Sequence, residues 1–253
     1  MSYYKQLGIG ISSYNRPTEI QRLVKSIEHY THAPYRLWIV DGFSAQATLR
    51  ELKAIENAGR ATVIYSQHWT GAGFNVFNAL LDIAQEYREE CPYFVRLDDD
   101  LEITTDGWEE QIISIMDSDP AVGLICCKRG NVRFPPSNEG YIRQCKAEFI
   151  ALRSAILPVV GRFIERDDKG NILAYSMDSE FTERLGYYGY KIRQIPDVYT
   201  CPADCGTESR RSSFAGECEV LDAAMANAQE FWGNIEKRRA DFMGADKIEN
   251  SLA

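Results

Sequence analysis

Apolar residues along the first hundred positions recur in two alternating patterns. Leu7 to Ile11 is a short run of strand type, and Ile20, Leu23, Val24 and Ile27 follow at helical spacing behind Pro17, which suits a first helical turn. Leu37 to Val40 is the next buried run and ends at Asp41-Gly42. Leu49, Leu52 and Ile55 mark a second helix stopped by Gly59, ahead of a strand from Val63 to Tyr65. Phe74, Phe77, Leu81 and Ala84 line one face of a third helix, and Tyr93 to Leu97 reads as a fourth strand. Strands that alternate with helices imply right-handed crossovers and a mainly parallel sheet covered on both faces, an α/β fold.

Beyond Gly107 the alternation loosens. Trp108, Ile112, Ile115 and Met116 predict a helix and Val122 to Cys126 a strand, whereas Lys128 to Lys146, with Pro135-Pro136 and Gly140, reads as a long loop. Strand character returns at Glu148 to Leu152, helix at Met177 to Leu185, and strand at Lys191 to Ile195. After the polar stretch TESRRSS, Leu221, Ala224, Met225, Ala228, Trp232 and Ile235 share one face of a last amphipathic helix. No internal repeat is visible, and one continuous domain over residues 1–253 is expected.

Composition narrows the class. The 253 residues are 45% hydrophobic and 26% charged, as in an ordinary soluble domain with a sizeable core. No stretch approaches the roughly 20 apolar residues of a membrane span, and no basic, then apolar, leader opens the chain, so a cytoplasmic location is expected. Seven cysteines without such a leader are expected to be reduced thiols. Cys201 and Cys205 have the spacing of half a zinc site, but no second Cys/His pair follows them. A net charge of -9 opposes non-specific binding to a polyanion. Locally, Lys128, Arg129, Arg133, Arg143 and Lys146 are opposed only by Glu139, which suits either an anionic ligand or a solvated basic loop.

Three polar clusters fall at the carboxyl ends of predicted strands, where open parallel sheets bind ligands: Ser12 to Arg16, Asp41, and Asp98-Asp99-Asp100. Gly8 and Gly10 lie inside the first strand rather than after it, so "LGIGISS" is a poor dinucleotide turn. "GAGFNVFN" lacks the Gly-Lys-Ser/Thr ending of a phosphate loop, and no Gly-x-Ser-x-Gly elbow is present. Three adjacent carboxylates repel one another, and a hard divalent cation, Mg²⁺ or Mn²⁺, would relieve that repulsion. On an extended segment Asp98 and Asp100 point to one side as oxygen ligands and Asp99 to the other, leaving coordination positions for substrate phosphates. The same triplet also suits a solvated turn capping the next helix.

"ISSYNRP", "WIVDGFS", "GAGFNVFNALLDIA" and "FVRLDDDLEITTDGWEEQI", in this order, resemble a glycosyltransferase of the GT-A fold, similar to family 2. The resemblance implies a nucleotide held by Ser13, Tyr14, Arg16 and Asp41, with Asn78, Asp98 and Asp99 also at the donor. Asp98 and Asp100 match the Asp-x-Asp motif and imply a Mn²⁺ or Mg²⁺ site. Asn78 matches the asparagine of the helix motif, but Phe77 stands where the family has an arginine. "YSMDSEFTERLGYYGYKI" resembles the family's second acidic motif and implies Asp178 as catalytic base, with Met177 and Glu180 departing from the usual acids. The histidine expected after the next strand is missing from "PDVYTCPADCG", where Asp204 is the nearest oxygen ligand.

The resemblance implies residues 1–106 as a nucleotide-sugar half, 107–216 as the acceptor and catalytic half, and 217–253 as a C-terminal helical segment. The implied reaction moves a sugar from a nucleoside-diphosphate sugar to an acceptor hydroxyl with inversion. Glu180, Arg210 and Arg211 are candidate diphosphate or acceptor contacts. The acceptor stays open between glycan, lipid-linked sugar, protein and modified nucleic-acid base. Two other readings share the architecture, a sugar-1-phosphate nucleotidyltransferase and a non-catalytic nucleotide- or carbohydrate-binding module.

Overall fold

In the computed structural model, which describes residues 6–67, 74–127, 141–142, 148–163 and 177–201, the predicted alternation becomes a sheet covered on both faces. Strand β1 (Leu7–Ser13) leads through α1 (Pro17–Tyr30) to β2 (Tyr35–Asp41), then α2 (Gln46–Asn57), β3 (Thr62–Tyr65), α3 (Phe74–Glu86) and β4 (Tyr93–Asp98). The second half brings β5 (Glu102–Ile103), α4 (Trp108–Ser118), β6 (Val122–Cys127), β7 (Tyr141–Ile142), β8 (Phe149–Arg153) and the one-turn α5 (Leu157–Val160). Helix α6 (Met177–Tyr187), β9 (Lys191–Ile195) and β10 (Tyr199–Thr200) follow.

Among the described residues the main sheet runs β3-β2-β1-β4-β8-β6-β9-β7. The chain winds outward from β1 through β2 to β3, then returns to pair β4 in parallel on the other side of β1. That reversal makes a topological switch point at the carboxyl end of β1, where such sheets bind ligands. Past β4 the sheet is mixed. Strand β8 enters antiparallel between β4 and β6, a direction that its apolar pattern does not encode, and β6 pairs in parallel with β9. A two-stranded sheet that the sequence did not announce joins β10 to β5, with Thr200 opposite Glu102 just beyond the aspartates.

One face of the sheet packs Ile9, Ile11 and Ile39 against Leu23, Leu52, Trp108 and Ile112 of α1, α2 and α4. The other packs Trp38, Phe94 and Leu124 against Leu80, Leu157 and Phe181 of α3, α5 and α6. Gly8 and Gly10 are explained by this second face. A Cβ on Gly8 would lie 2.5 Å from Phe94 Cδ2, and one on Gly10 would lie 2.7 Å from both Leu80 Cδ2 and Phe94 Cε1. The bare backbone of β1 therefore lets the Phe94 ring and α3 close onto the sheet.

Cys91, Cys126 and Cys127 are buried free thiols. Among the described residues no helix is long and apolar enough to cross a membrane. Cys205, the predicted helix at 221–235 and most of the basic segment at 128–146 lie outside the described residues.

Candidate functional site

Parallel register gathers the polar clusters. Ser13 stands opposite Asp41 across β1 and β2, and Ser12 opposite Asp98 across β1 and β4. Asn15, at φ 52°, turns the chain between β1 and α1 in a left-handed conformation that asparagine tolerates. Its N–H donates to Ser44 Oγ at 2.9 Å and its Oδ1 accepts from Ala45 N–H at 2.7 Å, so the loops after β1 and β2 are tied together. Asp41 Oδ2 accepts from the Phe43 and Ser44 N–H groups at 3.2 and 3.0 Å. Asp41 Oδ1 and Ser13 Oγ are buried and have no hydrogen-bond partner among the described residues. Buried polar atoms are generally paired, so these two are candidate ligand contacts.

Strand β4 ends at Asp98, and Asp99 and Asp100 form a turn instead of continuing extended. The expected split, with Asp98 and Asp100 on one side and Asp99 on the other, is therefore not the one found. Asp99 and Asp100 share one cation, Arg16, whose Nη1 lies 2.9 Å from Asp99 Oδ1 and 2.8 Å from Asp100 Oδ2. Two adjacent buried carboxylates need such compensation, and a turn brings both to one guanidinium. Tyr14 N–H also donates to Asp99 Oδ2 at 2.8 Å. Burial pushes the Asp99 carboxyl up to about 7 against the pull of Arg16, and Asp100 and Asp98 add to the rise. Burial opposes charge on Arg16, yet Asp99, Asp100 and Asp98 outweigh it and raise its pKa.

Asp98 has a different partner. Arg96, 1% exposed, places Nη2 against Asp98 Oδ1 and 2.8 Å from Ser12 Oγ, and its Cζ lies 3.7 Å from the centre of the Phe77 ring. Burial raises the pKa of Asp98, Arg96 opposes the rise, and Asp100 and Glu148 reinforce it. The sequence reading passed over Arg96, although a charge two residues before Asp98 in an apolar strand shares its face. Glu148 was missed as well. Its carbonyl accepts Asp98 N–H at 2.9 Å, and its Oε1 accepts the Tyr199 hydroxyl at 2.8 Å. Burial and Glu148 push that phenol's pKa upward.

Asn78 is buried, and both ends of its amide meet the backbone of Phe163, Nδ2 to the carbonyl at 3.1 Å and Oδ1 from the N–H at 2.9 Å. It joins α3 to the segment after α5. Phe163 stands 6.2 Å from the Phe77 ring and 4.6 Å from the Phe181 ring, centre to centre. This aromatic row links Arg96 to α6, whose first turn contains Asp178 and Glu180. Asp204, Arg210 and Arg211 lie outside the described residues.

The donor set favours a particular kind of cation site. Among the described residues no group of three or more His, Cys, Asp or Glu side chains is arranged to hold a metal. Asp98 and Asp100 are oxygen donors whose mutual repulsion contributes to the raised pKa of Asp98. Two carboxylates of this kind fit a hard cation completed by phosphate oxygens rather than an all-protein cage.

Solved structures share this architecture. Staphylococcus aureus TarS 1–349 in complex with UDP is 17% identical with a TM-score of 0.58, over 77% of this chain and 59% of that one. The mannosyltransferase PcManGT from Pyrobaculum calidifontis, in complex with GDP-Man and Mn²⁺, is 15% identical with a TM-score of 0.61, over 100% of this chain and 82% of that one. GalNAc-T7 with UDP, GalNAc and Mn²⁺ is 13% identical with a TM-score of 0.61, over 78% and 43%. The chain thus spans less than two thirds of the TarS and GalNAc-T7 chains. At these identities the likeness is one of fold, the GT-A arrangement expected from the sequence. No curated protein sequence matches. The family model for glycosyl transferase family 2 matches residues 9–178, two thirds of the chain. The chain belongs to glycosyl transferase family 2.

Proposed function

We propose that the protein transfers a sugar from a nucleoside-diphosphate sugar to an acceptor hydroxyl, with inversion at the anomeric carbon. The observation that carries this reading is the convergence of residues 13–16, Asp41 and Asp98 to Asp100 on one switch point of the sheet. Asp41 Oδ1 and Ser13 Oγ offer a buried acceptor and a hydroxyl to the nucleoside. Tyr14 and Arg16 border the diphosphate, and Asn78 supports α3 from behind.

Asp98 and Asp100 would hold Mn²⁺ or Mg²⁺, with Asp204 as a further candidate ligand. When bound there, the cation would supply Lewis-acid stabilisation of the departing diphosphate. Arg16 adds fixed positive charge beside the same carboxylates, and Arg210 and Arg211 are candidates to add more from the acceptor side. Asp99 is held by Tyr14 and Arg16, which fixes the turn next to the donor sugar. Asp178 accepts the proton of the attacking hydroxyl, and Glu180 is a candidate contact of the diphosphate or the acceptor. Residues 1–106 form the donor half in this reading and 107–216 the acceptor half. A cytoplasmic location fits a chain that draws on nucleotide sugars.

Incubation with a panel of nucleotide sugars and Mn²⁺, with and without pyrophosphate, tests the reaction. Slow release of nucleoside diphosphate is expected, abolished in Asp178→Asn while donor binding persists. Formation of nucleoside triphosphate only with pyrophosphate would assign a nucleotidyltransferase, and turnover in neither arm a binding module.

A further inference from the structure

We infer that Arg96 is a positioning residue: it fixes the carboxylate of Asp98 for the bound donor, supplying from β4 a guanidinium at the place where α3 carries Phe77. The inference rests on the donor-site reading above.

A guanidinium that is 1% exposed and packed against the Phe77 ring is unfavourable unless it is paired. The strand pleat puts positions 96 and 98 on one face, and Arg96 Nη2 meets Asp98 Oδ1 there. Ser12 braces the same oxygen. Its Oγ accepts from Arg96 Nη2 at 2.8 Å and lies 3.3 Å from Asp98 Oδ1. Phe77 closes the arrangement from the helix side, its ring face 3.7 Å from Arg96 Cζ, where a cation and an aromatic face attract. These contacts gather on Oδ1, while the Asp98 side chain stays 31% exposed and able to meet a ligand. Arg96 itself is sealed from solvent, so it acts on the donor through Asp98.

The ring of Phe77 and the guanidinium of Arg96 occupy adjoining volume, so the charge can be moved between strand and helix. That makes the role separable from a general demand for a well-filled core. Partners that orient a metal-binding carboxylate are typically worth about 10- to 100-fold in affinity.

Calorimetric titration of UDP and GDP, each with Mn²⁺, is compared for the unsubstituted chain, Arg96→Met, Asp98→Asn, the double variant of these two, and Phe77→Arg combined with Arg96→Phe. Arg96→Met is expected to weaken binding about tenfold, and the double variant is expected to bind no more weakly than Asp98→Asn alone, because both act through one carboxylate. Moving the guanidinium to position 77 is expected to restore most of the affinity. Unchanged binding by Arg96→Met, losses that simply add, or a folded Phe77→Arg/Arg96→Phe variant as weak as Arg96→Met would each overturn the inference. If Arg96→Met does not fold, Arg96→Lys decides. Weaker binding at an unshifted thermal midpoint supports the role, and unchanged binding overturns it. Failure of the unsubstituted chain to bind either nucleotide would overturn the donor-site reading too, whereas an effect missing only in the variants overturns this inference alone.

Discussion

Arg16 Nη1 contacts Asp99 Oδ1 and Asp100 Oδ2 at 2.9 and 2.8 Å, so a single guanidinium from the start of α1 holds two consecutive buried carboxylates at the end of β4. Removing it leaves both without their shared cation. Arg16→Met is expected to destabilise the fold by about 3–5 kcal/mol, the usual consequence of breaking a buried pair. Urea unfolding measures this, and a loss below about 1 kcal/mol, typical of an exposed pair, would mean that the triplet is solvated.

Gly10 faces Phe94 and Leu80 with no room for a side chain. Gly10→Ala is expected to cost about 1–3 kcal/mol through overpacking. Combining it with Phe94→Leu should be less damaging than the sum of the two single changes, since the smaller side chain gives back the space. Thermal or urea unfolding of the three variants checks the coupling.

Phe43 is half-exposed and sits at φ 73°, a conformation that a bulky side chain rarely adopts. Phe43→Gly removes that strain, offset in part by the greater freedom of glycine in the unfolded chain. The net expectation is a gain of about 0.5–1 kcal/mol in unfolding free energy.

Burial pushes the thiols of Cys91 and Cys127 up to about 11 and about 12. An unfolded thiol ionises near about 8.5, so above that pH the unfolded state holds fewer protons than the folded one. Stability therefore falls as pH rises from about 8.5 towards 11, by roughly 1.4 kcal/mol per unit for each fully unshared thiol. Urea midpoints at pH 8, 9 and 10 should decline, and Cys127→Ala should make the decline shallower. A pH-independent midpoint would contradict the burial of these thiols.

Much of this was readable in the chain. The switch between two hydrophobic periods marked β1 to β4 and their helices, because strands buried on both faces carry continuous apolar runs and covering helices carry stripes. The direction of β8 was not readable, since its run Phe149 to Leu152 is the same whichever way it pairs. At the site, Arg16 and Asp98 to Asp100 stood out as charges at strand ends, but their pairing did not. Residues 99 and 100 leave the strand, and only the turn brings both to Arg16. Glu148 and Tyr199 meet through β8 and β10, far apart in sequence, and carry no local signal.

The central claim, a cation-assisted nucleotide site at the end of β4, is tested most directly by titrating UDP and GDP into the unsubstituted chain and Asp100→Ala, each with Mn²⁺ and with chelator. The account predicts that one nucleotide binds the unsubstituted chain at least about tenfold more tightly with Mn²⁺, and that Asp100→Ala loses most of this enhancement. Affinity unchanged by chelator and by Asp100→Ala would contradict it.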